Sequence, residues 1–256
     1  MTDLPRADFS RFGPGAVAAV IGASGGIGAA LTEQLAQAPG IGRVHAFSRS
    51  GDAPAGPRID PGRLDLEDEA SIAAAAAAAA SGIGTAGDLR IVIVAAGLLH
   101  GPDHQPEKAW RDLSPGGFAR SFAVNTTGPA LVAKHFLPLM PRREAGIFAA
   151  LSARVGSISD NQAGGWYSYR ASKAALNQVL KCLAIEEARR RPGLVVVGLQ
   201  PGTVDTALSK PFQGAVREGG LFTAAFSAAH LLSVLAALQP AQSGGLLDWQ
   251  GQEIAP

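Results

Sequence analysis

The chain has 256 residues, of which 47% are hydrophobic and 17% are charged. Its 22 Lys and Arg residues nearly balance its 21 Asp and Glu residues, giving a formal net charge of +1. This composition is typical of a globular protein, and the length fits one α/β domain over residues 1–256. The charge balance gives no electrostatic reason to expect a nucleic acid or a membrane as partner, so small molecules are the expected partners.

Targeting and redox signals are sparse. Residues 1–14 carry prolines and charges instead of the apolar core of a signal peptide, and they are predicted to form an N-terminal tail. Cys182 is the only cysteine, which excludes an intramolecular disulfide and favours a cytoplasmic protein. Because Cys182 lies in an apolar helical run, we expect a buried thiol. The histidines lack metal-ligand spacing, and His100 and His104 are interpreted as solvated loop residues, so no metal site is predicted.

Apolar runs alternate with helical patterns along the whole chain, as they do in successive βαβ units. This alternation predicts an α/β fold in which a seven-stranded, mainly parallel sheet carries helices on both faces. The predicted strands are Ala16–Ala23, Arg43–Ser48, Arg63–Asp65, Leu89–Ala95, Gly146–Leu151, Leu194–Leu199 and Leu246–Trp249. The predicted helices are Gly26–Gln37, Glu67–Ala80, Gly117–Met140, Tyr167–Arg190 and Thr223–Leu238. Pro201–Gly220 has no clear periodicity, and a substrate loop is predicted at about 203–222.

A glycine-rich turn follows the first strand and opens the first helix: Gly22-Ala23-Ser24-Gly25-Gly26-Ile27-Gly28. Glycine allows a tight turn and lets a phosphate approach the N–H groups at the positive end of the helix. The turn alone is a weak signal, because an ordinary strand-to-helix connection looks similar. Its position after the first strand favours a dinucleotide-binding site.

Several motifs together resemble the short-chain dehydrogenase/reductase (SDR) family. Gly22-x-x-x-Gly26-x-Gly28 has the family's spacing, Ala95-Ala96-Gly97 ends the strand where the family has Asn-Asn-Ala-Gly, and Tyr169-x-x-x-Lys173 matches its Tyr-x-x-x-Lys. Asn125 and the turn Pro201-Gly202-Thr203-Val204-Asp205-Thr206 add further matches. The stretch Ser152–Asn177 also resembles the C-factor-like carbonyl reductase branch.

The resemblance implies a Rossmann-like doubly wound fold and a nicotinamide dinucleotide cofactor. It also implies homo-oligomers, dimers or tetramers, formed through the predicted helices Gly117–Met140 and Tyr167–Arg190. Carried over by position, the cofactor contacts are Gly22, Ser24, Gly26, Ile27, Gly28, Ser48, Arg49, Asp65, Ala96, Gly97, Asn125, Tyr169, Lys173, Pro201, Gly202, Val204 and Thr206.

The residues after the second strand indicate which cofactor is bound. An NAD enzyme usually places a carboxylate there on the adenosine ribose, whereas this chain has Ser48-Arg49-Ser50. The guanidinium of Arg49 can bind a 2′-phosphate through two parallel hydrogen bonds, so NADP(H) is predicted over NAD. Asp65 matches the family residue that bonds the adenine amino group, but it could equally cap the next predicted helix.

The predicted chemistry is hydride transfer to or from a carbonyl or alcohol carbon, with Tyr169 as the proton donor. Lys173 lies one helical turn further on the same face, and its charge is expected to lower the pKa of Tyr169. The family gives Lys173 a second role, a hydrogen bond to the nicotinamide ribose. In the family, the residue at Asn125 kinks its helix and binds a water molecule that links the lysine to solvent.

The serine of the family's site is the main departure. Its Ser-Ser-x-x-Gly reads Ser152-Ala153-Arg154-Val155-Gly156 here, which puts Ala153 at the catalytic position. Ser152 is preferred as the replacement that bonds the substrate carbonyl, and Ser157 is the alternative. The lost serine also leaves open a second function, a nucleotide-binding signalling or regulatory protein with little turnover. The apolar loop residues Leu98, Leu99, Trp166, Phe212 and Phe222 suggest an apolar or aromatic carbonyl compound as the substrate.

Overall fold

The computed structural model describes residues 4–81 and 87–256 of the chain. Its first half contains β1 (Ala16–Ile21), α1 (Gly26–Gln37), β2 (Ile41–Ser48), β3 (Ile59–Arg63), α2 (Glu69–Ser81), β4 (Leu89–Val94), α3 (Pro115–Phe122) and α4 (Gly128–Phe136). Its second half contains β5 (Gly146–Leu151), α5 (Tyr167–Glu187), β6 (Leu194–Gln200), β7 (Thr203–Val204), β8 (Leu221–Phe222), α6 (Ala224–Ala237) and β9 (Leu246–Asp248). A π-helical turn, Ala123–Thr127, joins α3 to α4.

Within the described residues, seven strands form one parallel sheet in the order β3-β2-β1-β4-β5-β6-β9. The central strands are buried along their whole length and are apolar except for Arg90 in β4, because helices cover both faces of the sheet. Alternate residues serve different cores: Ala18 and Val20 pack in the core beneath α1 and α6, whereas Val17 and Ala19 pack in the core beneath α2, α4 and α5. The predicted doubly wound α/β fold is confirmed.

The predicted strand Arg63–Asp65 was misplaced, because β3 spans Ile59–Arg63. Pro61 and Gly62 lie inside β3, and neither belongs to the apolar run by which a strand is recognised. Proline is tolerated there because β3 is at the edge of the sheet, paired with β2 on one side.

Two further expectations concern burial. Cys182 is exposed, so the predicted buried thiol is wrong. The inner face of α5 carries Leu176, Leu180 and Ala184, and a residue two positions after Leu180 lies on the other side of the helix. In the predicted tail, of which residues 1–3 fall outside the described residues, Phe9 and Phe12 are buried in the core beneath α1 and α6.

None of the helices in the described segments combines the length and apolar character that a membrane crossing requires.

Candidate functional site

The candidate site is a groove at the carboxyl ends of the central strands. The chain leaves β1 toward β2 on one side and later returns to β4 on the other, so the connections after β1 and β4 diverge. Doubly wound sheets bind ligands at this switch point. The groove encloses about 450 Å³, a volume typical of small-molecule and cofactor sites.

The glycine turn forms one wall of the groove, where Gly22, Ser24, Gly26 and Ile27 line it. Gly22 has a φ of +93°, and a Cβ there would lie 2.8 Å from the backbone nitrogen of Ala96. A Cβ on Gly28 would lie 2.1 Å from the carbonyl oxygen of Gly22, so Gly28 closes the turn from behind without lining the groove. No larger residue fits either position.

The start of α1 faces the groove with its polar groups available. Its N-cap, Gly25, offers no side-chain hydrogen bond, and its first turn contains no acidic residue. The first N–H groups of a helix have no partner within the helix, and they carry partial positive charge. An uncapped helix start beside a glycine turn fits the pyrophosphate of a dinucleotide.

The far end of the groove contains the residues predicted to select the cofactor. Ser48 is buried and Arg49 is exposed, and both line the groove. Asp65 lines it too, and its Oδ1 accepts the Glu67 N–H at 3.1 Å. Asp68, not Asp65, accepts an N–H at the start of α2, at 3.0 Å from Ala70. The structure thus contradicts the helix-cap alternative for Asp65 and leaves its carboxylate at the groove.

The turn after β6 packs against the glycine turn. Pro201 and Thr206 line the groove, and a Cβ on Gly26 would lie 2.8 Å from Cγ2 of Thr206. Gly202, with φ +80°, and Val204, which is buried, lie outside the groove lining. Val204 instead pairs with Phe222 in the small β7–β8 sheet, which anchors the predicted substrate loop.

Tyr169 and Lys173 lie one turn apart on the inner face of α5, and both line the groove. Nζ of Lys173 donates to the Leu151 carbonyl at 2.8 Å and lies 5.8 Å from the centre of the Tyr169 ring. Burial raises the pKa of Tyr169 to about 12 and lowers the pKa of Lys173 to about 8. The predicted lowering of the Tyr169 pKa is therefore wrong for this structure, because burial of the hydroxyl raises that pKa.

Asn125 lies at the middle of the π-helical turn and is fully buried. Its Oδ1 accepts the Leu98 N–H at 2.7 Å, while its Nδ2 donates to the Leu98 carbonyl at 2.8 Å and to Oγ of Ser172 at 3.1 Å. A Cβ on Gly97 would lie 3.5 Å from both Asn125 Oδ1 and Lys173 Nζ. The π-helical turn thus places Asn125 beside Gly97, which follows β4, and near Lys173 on α5. Ala96 and Gly97 line the groove next to this cluster.

The two candidate serines differ in position. Ser152 lines the groove with Tyr169 and Lys173, and its Oγ donates to Oδ1 of Asn177 at 2.6 Å. Ser157 is buried outside the groove lining, where its Oγ accepts the Asp160 N–H at 3.1 Å. Only Ser152 is placed beside the Tyr169 and Lys173 pair.

A chain of aromatic rings extends from Tyr169. The Trp166 ring lies edge-on to the Tyr169 ring at 6.2 Å and to the Phe212 ring at 5.0 Å, and Phe212 contacts His100 at 5.6 Å. Trp166 has a φ of +50°, alone among the non-glycine residues that the structure describes. Phe222 packs on Trp249 instead.

Two residues near the site were misinterpreted or missed from the sequence. His104 is buried, and its Nε2 lies 3.2 Å from Oγ of Ser121, so its interpretation as a solvated loop residue is wrong. Arg120 lines the groove one helical turn before Val124, which also lines it. The four-residue spacing of Arg120 and Val124 within the predicted helix could have indicated this shared face.

This fold, glycine turn and Tyr-Lys pair define a dinucleotide-binding oxidoreductase. The family model described as short chain dehydrogenase matches residues 16–216. The chain belongs to the short-chain dehydrogenase/reductase family and is an oxidoreductase of that family.

Individual relatives share much of the chain. It is 32% identical over 231 residues to 1-hydroxy-2-glutathionyl-2-methyl-3-butene dehydrogenase from a Rhodococcus species, which covers 88% of this chain and 92% of the relative. It is 34% identical over 143 residues to the C-signal of Myxococcus xanthus, covering 56% of this chain and 81% of the relative. An NADPH-bound carbonyl reductase from chicken fatty liver has the same fold, with a TM-score of 0.77 and 26% identity, covering 95% of this chain and 99% of that one.

Proposed function

We propose that the protein is an NADP(H)-dependent oxidoreductase that transfers hydride between the nicotinamide and a carbonyl or alcohol carbon of a small molecule. The observation that supports this most strongly is the clustering of Tyr169, Lys173 and Asn125 at the end of a groove that starts at the glycine turn. A structural role alone would not require a lysine and a tyrosine to be buried together at a cavity wall.

NADP(H) is proposed over NAD(H) because of the groove's far end. Arg49 provides a guanidinium there, and Ser48 provides a hydroxyl. The chicken carbonyl reductase of the same fold is NADPH-bound, which favours the same choice. The proposed contacts are those carried over from the motifs. Gly28, Gly202 and Val204 would act by shaping the turns instead of lining the groove.

The bound nicotinamide would supply or accept the hydride, and the protein would manage the proton. With a pKa of about 12, Tyr169 keeps its proton at neutral pH, which is the form that a donor to a developing alkoxide needs. Lys173, held at the Leu151 carbonyl, would hydrogen-bond the ribose and stabilise a transient tyrosinate. Asn125 would keep the Leu98 backbone and α5 in register, and Ser152 would polarise the substrate carbonyl.

The substrate is proposed to be an apolar or aromatic carbonyl compound or the corresponding alcohol. Trp166 places an aromatic ring next to Tyr169, Phe212 packs on Trp166, and Leu98 lines the groove. Leu99 is buried and Phe222 packs on Trp249, so neither supports the argument.

A nucleotide-binding signalling protein with little turnover is the second candidate. Two observations favour it: Ala153 replaces the family's serine, and the Myxococcus relative is named C-signal. We also propose that the protein acts in the cytoplasm, which its single cysteine favours, and that it forms a homodimer or homotetramer, as the family resemblance implies.

The test is a screen for NADPH consumption with aldehydes, ketones and quinones, run beside a measurement of NADPH binding. Tyr169→Phe removes one hydroxyl and should reduce turnover on the order of 10²- to 10⁴-fold while NADPH still binds. Tyr167→Phe is the matched control, because Tyr167 is a partly exposed residue outside the groove lining. Near-normal turnover by folded Tyr169→Phe would refute the proposed mechanism, and NADPH binding without turnover of any carbonyl would favour the second candidate.

A further inference from the structure

The first turn of α5, which carries Tyr169, has an unusual cap. Its N-cap residue is Trp166, whose side chain has no oxygen and makes no capping hydrogen bond. Trp166 also lies in the left-handed region, with φ +50° and ψ +44°, where non-glycine residues are disfavoured. The cap that most helices obtain from a local Ser, Thr, Asp or Asn must therefore come from elsewhere.

Glu107 supplies it from the loop after β4. Its Oε2 accepts the Ser168 N–H at 3.1 Å, and its backbone carbonyl accepts the Trp166 N–H at 2.6 Å. Glu107 is only 5% exposed, although its residue type is almost never buried without partners. A carboxylate is also well placed at the positive end of a helix.

Other buried polar groups surround this contact. Oγ of Ser121, on α3, donates to Oγ of Ser168 at 3.1 Å, and Nε2 of His104 lies 3.2 Å from the same Ser121 oxygen. Ser121 and Ser168 are fully buried. The loop that carries Glu107 and His104 is thus tied to α3 and to the start of α5 by polar contacts that the catalytic chemistry does not use.

The contact reaches both Tyr169 and the predicted substrate loop. Ser168 is the residue before Tyr169, and Trp166 packs on the Tyr169 ring and on Phe212 of the substrate loop. We propose that Glu107 is a positioning residue that sets where the Tyr169 hydroxyl lies, by accepting the Ser168 N–H and holding Trp166 in its left-handed conformation. The proposal rests on Tyr169 being the proton donor. A displacement of about 1 Å in a catalytic group reduces rates by up to about 10²-fold, so the effect should be visible in turnover.

The test separates the reach of the Glu107 side chain from its charge. Glu107→Gln keeps an oxygen at the same distance, and its kcat should stay within about 3-fold of the parent by this geometry. Glu107→Asp keeps the charge but withdraws the oxygen by one methylene, and its kcat should fall about 10- to 100-fold. NADPH affinity, measured by fluorescence, should be nearly unchanged in both, because the glycine turn and Arg49 lie on other segments. Glu186→Asp, at an exposed position near the other end of α5, is the matched control.

Glu107→Leu, which removes the acceptor altogether, should lose at least as much turnover as Glu107→Asp. If Glu107→Leu does not fold, the comparison of Glu107→Asp with Glu107→Gln still tests the proposal. Three results would overturn the proposal: parental kcat per folded molecule in Glu107→Asp, a loss in Glu107→Gln as large as in Glu107→Asp, or loss of thermal stability with unchanged kcat. Tyr169→Phe is assayed in the same series. If Tyr169→Phe keeps its activity, the proposed mechanism fails at its proton donor, whereas an inactive Tyr169→Phe beside an unaffected Glu107→Asp refutes the positioning role alone.

Discussion

Ser152 provides a sharp test of how the site works without the family's serine. Its hydroxyl has one proton, which it donates to Oδ1 of Asn177 at 2.6 Å. In that arrangement Ser152 has no proton left for a substrate carbonyl. A half-turn of the Asn177 amide would reverse the bond, so that the amide donates to Ser152 and the serine proton points into the groove.

If Ser152 polarises the carbonyl in this way, Ser152→Ala should reduce kcat/KM about 10²-fold, the lower part of the range for removing one oxyanion donor. Stability should fall by about 1 kcal/mol or somewhat more, because Asn177 loses its partner at a half-buried position. Asn177→Asp is the more specific change. Its carboxylate only accepts hydrogen bonds, so it would hold the serine proton permanently, and activity should fall as far as in Ser152→Ala.

The assay is NADPH oxidation with the best substrate of the carbonyl screen, with thermal melting to confirm folding. Ser157→Ala is the control, since Ser157 lies outside the groove lining, and it should leave kcat/KM within about 3-fold of the parent, well short of the loss expected for an oxyanion donor. Full activity in folded Ser152→Ala would refute the reasoning. A loss confined to Ser157→Ala would transfer the role to that residue.

Three further predictions concern the cofactor and assembly. Arg49→Ala should weaken NADPH binding about 10- to 100-fold and leave NADH binding unchanged, because a charged hydrogen bond contributes about 1.5–3 kcal/mol; equal affinities for the two cofactors in the parent protein would remove this argument. Gly28→Ala would place its Cβ 2.1 Å from the Gly22 carbonyl oxygen, so it should abolish NADPH binding and lower the melting temperature, whereas Gly116→Ala, with no atom within 4 Å, should do neither. Ile185 is 54% exposed on α5, so Ile185→Glu should dissociate the expected oligomer in sedimentation, and a monomeric parent at micromolar concentration would contradict the assembly itself.

Strand and helix placement followed from local patterns wherever the apolar run was continuous. The strands at β4, β5 and β6 were predicted to within a residue because both of their faces are buried, which leaves runs that are apolar except for Arg90 in β4 and Gln200 at the end of β6. The edge strand β3 was misplaced because it is only partly buried. Pro61 and Gly62 are tolerated there, and they interrupt the apolar run that would mark the strand. The π-helical break at Asn125 came from the family resemblance, since nothing in the periodicity of the helix marks it.

Sequence by itself determined which segments carry the chemistry, because the glycine turn and the Tyr-x-x-x-Lys spacing are local patterns with local physical reasons. Tertiary structure alone decided which groups meet across the chain. Glu107 reaches Ser168 over 61 residues, and Ser152 reaches Asn177 over 25. Tertiary structure also decided the pKa of Tyr169. The neighbouring lysine charge predicts a lowered pKa, but burial among residues distant in sequence raises it. Hydrogen-bond partners and desolvation depend on what the folded chain brings near a group, and the identity of its neighbours in sequence does not supply that information.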